Sequence, residues 1–296
     1  KWSRTTADGT RSDLSFEPLP AVWDLVESDS GNCLGKQCPH QADCFYFRAR
    51  KTVFGSNILV VNHALFFADL ALRRTGGGIL PEYHAVIFDE AHTLEDVAAD
   101  HLGIGLSQGG LEYLFGQLLA PRTQKGILAT LGDGDAVAQL DATRQASEKF
   151  FRSVYDWLGK QPKGSGPNAA GGTGRVRQKG IVEDTLSGAL GKLGDTLHEL
   201  AKGRDAEEEK LELVSRGDRL FAMARSVKEW LNQDLKGQVY WAETKPGRVP
   251  RVALASAPIE VGPALKEQLY DKVPSVILAS ATLSVGGETG FKLFQK

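Results

Sequence analysis

Ala85-Val86-Ile87-Phe88-Asp89-Glu90-Ala91-His92 is the stretch on which the reading of this chain turns. Four apolar residues make a short buried strand, and the paired carboxylates stand where a parallel strand hands its loop to a ligand crevice. A hard divalent cation takes oxygen ligands, so Asp89 is expected to hold Mg²⁺, directly or through a water. Glu90 is expected to orient and deprotonate a water that attacks a phosphate, and His92 to bridge that site to neighbouring groups by hydrogen bonds. The plainer alternative has Asp89 and Glu90 capping a helix that begins near Thr93, where carboxylates favour the positive end of the dipole. Far downstream, Ser275-Val276-Ile277-Leu278-Ala279 runs into Ser280-Ala281-Thr282-Leu283. This predicts a second strand whose end offers the hydroxyls of Ser280 and Thr282 to His92, both tips lying in one sheet beside a shared magnesium–nucleotide crevice.

Composition narrows the rest. The 296 residues are 42% hydrophobic and 24% charged, ordinary for a globular protein with a sizeable core. A formal net charge of −2 gives no global basic field, so any nucleic-acid surface must come from local segregation of charge. No apolar run reaches the roughly 18–20 residues of a bilayer span, and no signal-peptide pattern opens the chain. The chain starts abruptly at Lys1 and stops soon after Ser-Ala-Thr, so it is expected to be a piece of a longer protein.

Along the chain, residues 1–32 read as a polar loop with a short helix around Val22, Trp23, Leu25 and Val26. Ile58-Leu59-Val60-Val61 predicts a buried strand and Ala64 to Leu72 a helix, before a flexible break at Gly76-Gly77-Gly78. From about residue 94 to 235, four apolar stripes near the 3.6 period predict helices, for example Leu186, Leu190, Leu193, Leu197 and Leu200. Between the second and third stripes, Gln161 to Lys179 is rich in Gly, Pro and Lys and reads as mobile. Strands return at Val239 to Ala242 and Val252 to Ala255, separated by a turn at Lys245-Pro246-Gly247.

All three cysteines, Cys33, Cys38 and Cys44, fall within one short loop. An odd, clustered set without an export signal argues for a metal or cluster site rather than a disulfide framework. Zinc or an iron–sulfur cluster normally takes four ligands; His40 could complete a zinc site. Directly after Cys44, Phe45, Tyr46 and Phe47 interleave with Arg48, Arg50 and Lys51. Cations neutralise phosphates and aromatic rings stack on unpaired bases, so this run suits single-stranded DNA, or else forms an amphipathic helix with solvated cations. Asn62 and His63 could contact phosphates or simply cap the following helix. No Gly-x-x-x-x-Gly-Lys-[Ser/Thr] loop occurs in the chain; Gly31 to Gln37 comes nearest, with the wrong spacing.

Asp89-Glu90-Ala91-His92 and Ser280-Ala281-Thr282 resemble motifs II and III of superfamily 2 helicases. The cysteines narrow the resemblance to the iron–sulfur branch that includes XPD and the bacterial DinG helicases. Val60-Val61-Asn62-His63-Ala64-Leu65, Ile79-Leu80-Pro81, Tyr240-Trp241 and Ala257-Pro258-Ile259 fit the same family. The resemblance implies an α/β fold: a partial, parallel-sheet RecA-like motor domain lacking its phosphate loop, with a small cluster-binding insertion and a helical arch. The expected parts are a cluster region at 1–55, motor segments at 56–97 and 236–296, and the arch at 98–235. It also implies Mg²⁺ and ATP at Asp89, catalytic work by Glu90, His92, Ser280 and Thr282, and a 4Fe–4S cluster on Cys33, Cys38 and Cys44 with a fourth cysteine outside the chain. Arg48, Arg50, Lys51, Asn62 and His63 would meet DNA. The whole protein is expected to be a monomeric, cytoplasmic, nucleoid-associated 5′-to-3′ DNA helicase of repair, acting on single-stranded and forked or structured duplex DNA. Without a phosphate loop and a second motor domain, the piece itself is expected to hydrolyse little ATP. The competing expectations are a non-enzymatic DNA- or partner-binding module and a nuclease-coupled relative.

Overall fold

A computed structural model describes residues 2–23, 26–29, 33–73, 78–161, 173–245 and 251–283. The expected features at Leu25, Gly31, Gly76-Gly77, 162–172 and Pro246-Gly247 lie outside the described residues. The chain divides into two units, Lys1–Val60 with His198–Arg216, and Val61–Leu197 with Gly217–Lys296.

Up to Val60, the described residues of the first unit form short turns and two helices, α1 (Pro20–Trp23) and α2 (Phe45–Gly55). Trp2 and Trp23 meet with ring centroids 6.0 Å apart. None of the side chains of α2 is buried, so this helix gains little from packing of its own. Ile58 to Val61, expected as a buried strand, forms none: Ile58 is 84% and Val60 97% exposed. A strand gains its stability from a neighbour's hydrogen bonds and a covered face, and this segment has neither here.

The second unit opens with α3 (His63–Arg73), then β1 (Ala85–Phe88), α4 (Leu94–Leu102), β2 (Gly105–Ser107), α5 (Gln108–Leu118), α6 (Ile127–Leu131) and α7 (Gly134–Gly159). It continues through β3 (Thr173–Val176), α8 (Ser187–Lys202), α9 (Glu207–Asn232), β4 (Gln238–Lys245), β5 (Arg251–Pro258), α10 (Gly262–Leu265) with a π-helical turn at Lys266–Tyr270, and β6 (Ser275–Leu278). Parts of α8 and α9 belong to the first unit.

Local chemistry sets the helix starts. Asn62 Oδ1 accepts from the Leu65 N–H at 2.8 Å ahead of α3. Ser107 caps α5 through the Gly110 N–H, and Asp133 caps α7 through the Ala136 N–H. The 3.6-residue stripes then bury Leu111, Phe115 and Leu118 on α5, and Leu140, Phe150, Phe151 and Val154 on α7. Leu190, Leu193 and Leu197 on α8, with Leu220 and Val227 on α9, are buried as their spacing predicts.

The strands of the described residues sort into two sheets. β1 and β6 pair in parallel, Ala85 opposite Ser275 through Phe88 opposite Leu278. The other four form an antiparallel sheet in the order β2-β5-β4-β3. This departs from the expected layout. Residues 98–235 were expected to be helical, yet they contribute β2 and β3; β4 and β5, expected in the parallel motor sheet, pair with these instead. Within the stretch expected to be mobile, Thr173–Val176 is strand and Val176 is buried. Gly174 makes that possible, since a Cβ there would meet Leu158 Cδ2 at 2.5 Å. Gly103 serves the same purpose between α4 and β2, where an added Cβ would lie 1.7 Å from the Ser256 carbonyl oxygen.

Candidate active site

The paired strands β1 and β6 carry the two expected motifs to one end of a sheet. Phe88 O accepts from the Ala279 N–H at 2.8 Å, and Ala279 O accepts from the Ala91 N–H at 3.0 Å. The ladder therefore continues past both strands and fixes the Asp89-Glu90 turn against the start of Ser280-Ala281-Thr282. α3 covers one face of this pair: the Phe66 ring meets Phe88 edge-on at 5.0 Å, and Phe67 stacks on it at 6.3 Å. Ile87 and Ile277, directly opposite each other, occupy the other face and are exposed.

Glu90 adopts φ 48° and ψ 43°, the left-handed region. For a residue with a Cβ this costs about 1–2 kcal/mol, and such strain persists only where neighbours over-determine it. Three contacts do so: the Glu90 carbonyl accepts from the Thr93 N–H and from Thr93 Oγ1, both at 3.0 Å, and Ala91 is tied to β6 as described. Asp89 Oδ1 accepts from the Glu90 N–H at 3.0 Å, a bond within the turn itself. Neither carboxylate caps the turn at Ala91–Thr93 or the helix α4 behind it, so the capping alternative is not what these side chains do. Both carboxylates are exposed at the strand tip.

His92 and Ser280 stand 188 residues apart in sequence, with Nδ1 2.8 Å from Ser280 Oγ. The same Nδ1 lies 3.2 Å from Glu90 Oε2. A carboxylate only accepts, so a proton on Nδ1 satisfies both contacts, shared between Glu90 and the Ser280 oxygen. Ser280 Oγ also accepts from the Thr282 N–H at 3.3 Å and lies 3.4 Å from Thr282 Oγ1. Glu90, His92, Ser280 and Thr282 thus form one connected polar chain across the two strand ends.

The remaining expected residues are placed less tellingly. Cys33, Cys38 and Cys44 are free thiols of intermediate exposure, and among the described residues no three His, Cys, Asp or Glu groups are gathered to hold a metal ion. Cys33 Sγ accepts from the Gly35 N–H at 3.4 Å. Three ungathered thiols do not fit a cubane cluster, which takes four thiolates. On α2, Arg48 lies over the Phe45 ring at 4.8 Å and donates to Ala7 O at 2.9 Å. Arg50 lies over Tyr46 and Phe54 at 5.9 and 5.1 Å, with Tyr46 and Phe54 exposed. Lys51 is exposed. Asn62 is engaged as the cap of α3, and His63 Nδ1 lies 3.2 Å from Thr93 Oγ1.

Two contributors escaped the sequence reading. Thr93 was read only as the edge of a helix, although its hydroxyl is held by the loop that carries Glu90. Asp69 is wholly buried, accepting from the Ile79 and Leu80 N–H groups at 2.6 and 2.9 Å and pairing with Arg73 at 2.6 Å. Its only signal was an acid amid the apolar run Phe66-Phe67-Ala68-Asp69-Leu70.

Comparison with known proteins agrees with the geometry. Residues 15–111 match the DEAD_2 family. The chain is 44% identical over 108 residues to "ATP-dependent DNA helicase YoaA" of Escherichia coli, covering 36% of this chain and 17% of that protein. It is 28% identical over 276 residues to the Haemophilus influenzae protein of the same name, covering 92% of this chain and 40% of the relative. With "ATP-dependent helicase DinG" of Mycobacterium tuberculosis it shares 35% identity over 96 residues, 32% of this chain and 14% of that one. The chain therefore spans less than half the length of these curated relatives. Over residues 15–111 the chain matches the DEAD_2 family, and it is similar there to proteins named as YoaA and DinG helicases.

Proposed function

We propose that this chain is part of the motor of an ATP-dependent DNA helicase, and that it supplies the water-activating side of the ATP site. The observation that carries the reading is the parallel pairing of β1 with β6, which sets Asp89-Glu90-Ala91-His92 beside Ser280-Ala281-Thr282. Carboxylate oxygens at a strand tip are the donor set a hard cation takes, so Asp89 would hold Mg²⁺, whose charge offsets that of the substrate's phosphates. Glu90 orients the attacking water and takes its proton. His92, joined to both Glu90 and Ser280, reports the state of the phosphate end to the β6 tip. In this reading that connection couples hydrolysis to DNA movement.

The DNA side rests on α2. Arg50, half-buried, lies over the exposed rings of Tyr46 and Phe54, and the next residue, Lys51, is exposed, an arrangement that suits phosphates and unpaired bases. We extend the reading to single-stranded and forked DNA, 5′-to-3′ movement, a repair role and a cytoplasmic monomer on the resemblance to the DinG/XPD branch alone; the relatives' names support only an ATP-dependent DNA helicase. Among the described residues no helix is long and apolar enough to cross a membrane. No step runs through an iron–sulfur cluster, because the thiols are not gathered; iron and acid-labile sulfide analysis of anaerobically purified full-length protein decides whether one forms there.

DNA-stimulated ATP hydrolysis by the full-length protein, measured beside a Glu90→Gln variant, tests the proposal. Loss of a positioned base lowers kcat by about 10²–10⁴-fold. An unchanged rate removes Glu90 from its role and favours a binding module in which the motor is vestigial.

A further inference from the structure

Thr93 Oγ1 joins two elements that the motor reading treats separately. Its single hydroxyl proton is directed at the Glu90 carbonyl, 3.0 Å away. The oxygen must then accept at its other contact, His63 Nδ1 at 3.2 Å, so the imidazole donates there. His63 is well placed to do so. It is the first residue of α3, behind the Asn62 cap, and its ring meets Phe88 edge-on at 5.8 Å. α3 is itself anchored on β1 by Phe66 and Phe67. The result is a brace: α3, His63, Thr93, then the carbonyl of a glutamate held in the left-handed region.

We propose that His63 is a positioning residue for Glu90, acting through Thr93 to fix the left-handed turn and hence the direction of the carboxylate, rather than a contact to DNA phosphate. The inference rests on the assignment of Glu90 as the water-activating group. A brace of this kind affects the turnover step more than substrate binding, because the group that holds the cation, Asp89, is fixed by its own bond to the Glu90 N–H. Misplacing a reacting group by a fraction of an ångström to one ångström lowers rates by about 10- to 100-fold.

The test uses the full-length protein and five variants: Glu90→Gln, Thr93→Val, Thr93→Ser, His63→Ala and the His63→Ala/Thr93→Val pair. DNA-stimulated ATP hydrolysis is measured at saturating DNA, together with the affinity for a fluorescent single-stranded oligonucleotide and the thermal midpoint. Thr93→Val and His63→Ala each lower kcat by about tenfold, with KM for ATP and the oligonucleotide Kd within about twofold. Thr93→Ser, which keeps the hydroxyl, recovers most of the rate. The double variant is no worse than Thr93→Val, since both break one chain. Parental turnover by a folded Thr93→Val protein overturns the proposal, as do multiplying defects in the double variant. A His63→Ala protein with weakened oligonucleotide binding and parental kcat also overturns it, and returns His63 to the DNA surface. Should Thr93→Val fail to fold, the His63→Ala and Thr93→Ser rates decide alone. If Glu90→Gln turns over like the parent, the motor assignment fails and the brace with it; if only Glu90→Gln is impaired, the brace alone fails.

Discussion

The antiparallel sheet of the second unit and its parallel strand pair solve the burial problem differently. β2-β5-β4-β3 lies against helices whose largest side chains are fully buried, among them Trp230, Phe150 and Leu140. Trp230 even satisfies its indole N–H on the Ala255 carbonyl, 2.9 Å away on β5. β1 and β6 have one covered face, under Phe66 and Phe67, and one bare face where Ile87 is 70% and Ile277 49% exposed. Parallel strands are ordinarily covered on both faces. The difference teaches where stability and chemistry reside: the antiparallel region closes its own core, while the turn bearing Glu90 hangs on a strand pair supported from one side.

The largest expected effect tests the closed region. Trp230→Ala removes a wholly buried ring and leaves a cavity between α9 and β5, which destabilises by about 3–5 kcal/mol in urea titration. A loss below about 1 kcal/mol would break the comparison, because that core would then be collapsible. The supported side of the strand pair comes next. Asp69→Ala strips Arg73 of its ion pair and leaves the Ile79 and Leu80 N–H groups without acceptors, ahead of β1. Removing one partner of a buried pair costs about 3 kcal/mol; Arg73 is itself partly exposed, which lowers the figure toward 2. Arg73 further donates to the Leu80 and Pro81 carbonyls, so the effect should reach the β1 approach, visible as faster amide exchange there.

Much of this contrast was legible in the sequence, and for a physical reason. Apolar runs and the 3.6 period report which residues must be buried, so β1, β6 and the stripes on α5, α7, α8 and α9 were found where Ala85 to Phe88, Val276 to Leu278 and the leucines predicted them. The same signal misled at Ile58 to Val61. β-branched composition states a preference for a pleated surface, not whether a neighbour is there to pair with. Sheet membership was illegible for the same kind of reason: β2 meets β5 across about 150 residues, and nothing local in Gly105-Leu106-Ser107 names that partner. At the site, His92 and Ser280 were read as a pair because two strand tips in one sheet can meet. Thr93 was missed because a left-handed glutamate cannot be seen in residue types. Cys33, Cys38 and Cys44 are close in sequence, yet among the described residues they are not gathered to hold a metal ion.

A smaller effect sharpens the picture of the closed region through Tyr240, whose hydroxyl donates to the Leu235 carbonyl at 3.1 Å and accepts from its N–H at 2.9 Å. Tyr240→Phe loses about 1 kcal/mol. Burial pushes the Tyr240 phenol above its ordinary value, with the bond from the Leu235 backbone acting against it and the charges of Asp234 and Glu229 adding to it. The folded state therefore keeps a proton that the unfolded chain gives up first. Its contribution is fully present below the unfolded phenol's range and is lost as pH rises through the folded one. Stability measured across that alkaline window should fall less steeply in Tyr240→Phe than in the parent.

The smallest expected effect is the most discriminating. Ile87→Thr keeps a β-branched side chain on β1 but removes apolar surface from the bare face, opposite Ile277. In this chain that surface is already in water, so stability should change by no more than about 0.5 kcal/mol. In the full-length protein the same substitution reads whether something covers the face. Burying an isoleucine is worth about 1.5–3 kcal/mol relative to exposure, so a loss of that size there, with none in the short chain, measures the covering directly. Equal, near-zero losses in both would mean that the strand pair works one-sided even in the intact protein. Glu90 would then depend for its rigidity on α3 and Thr93, which makes the brace from His63 more consequential rather than less.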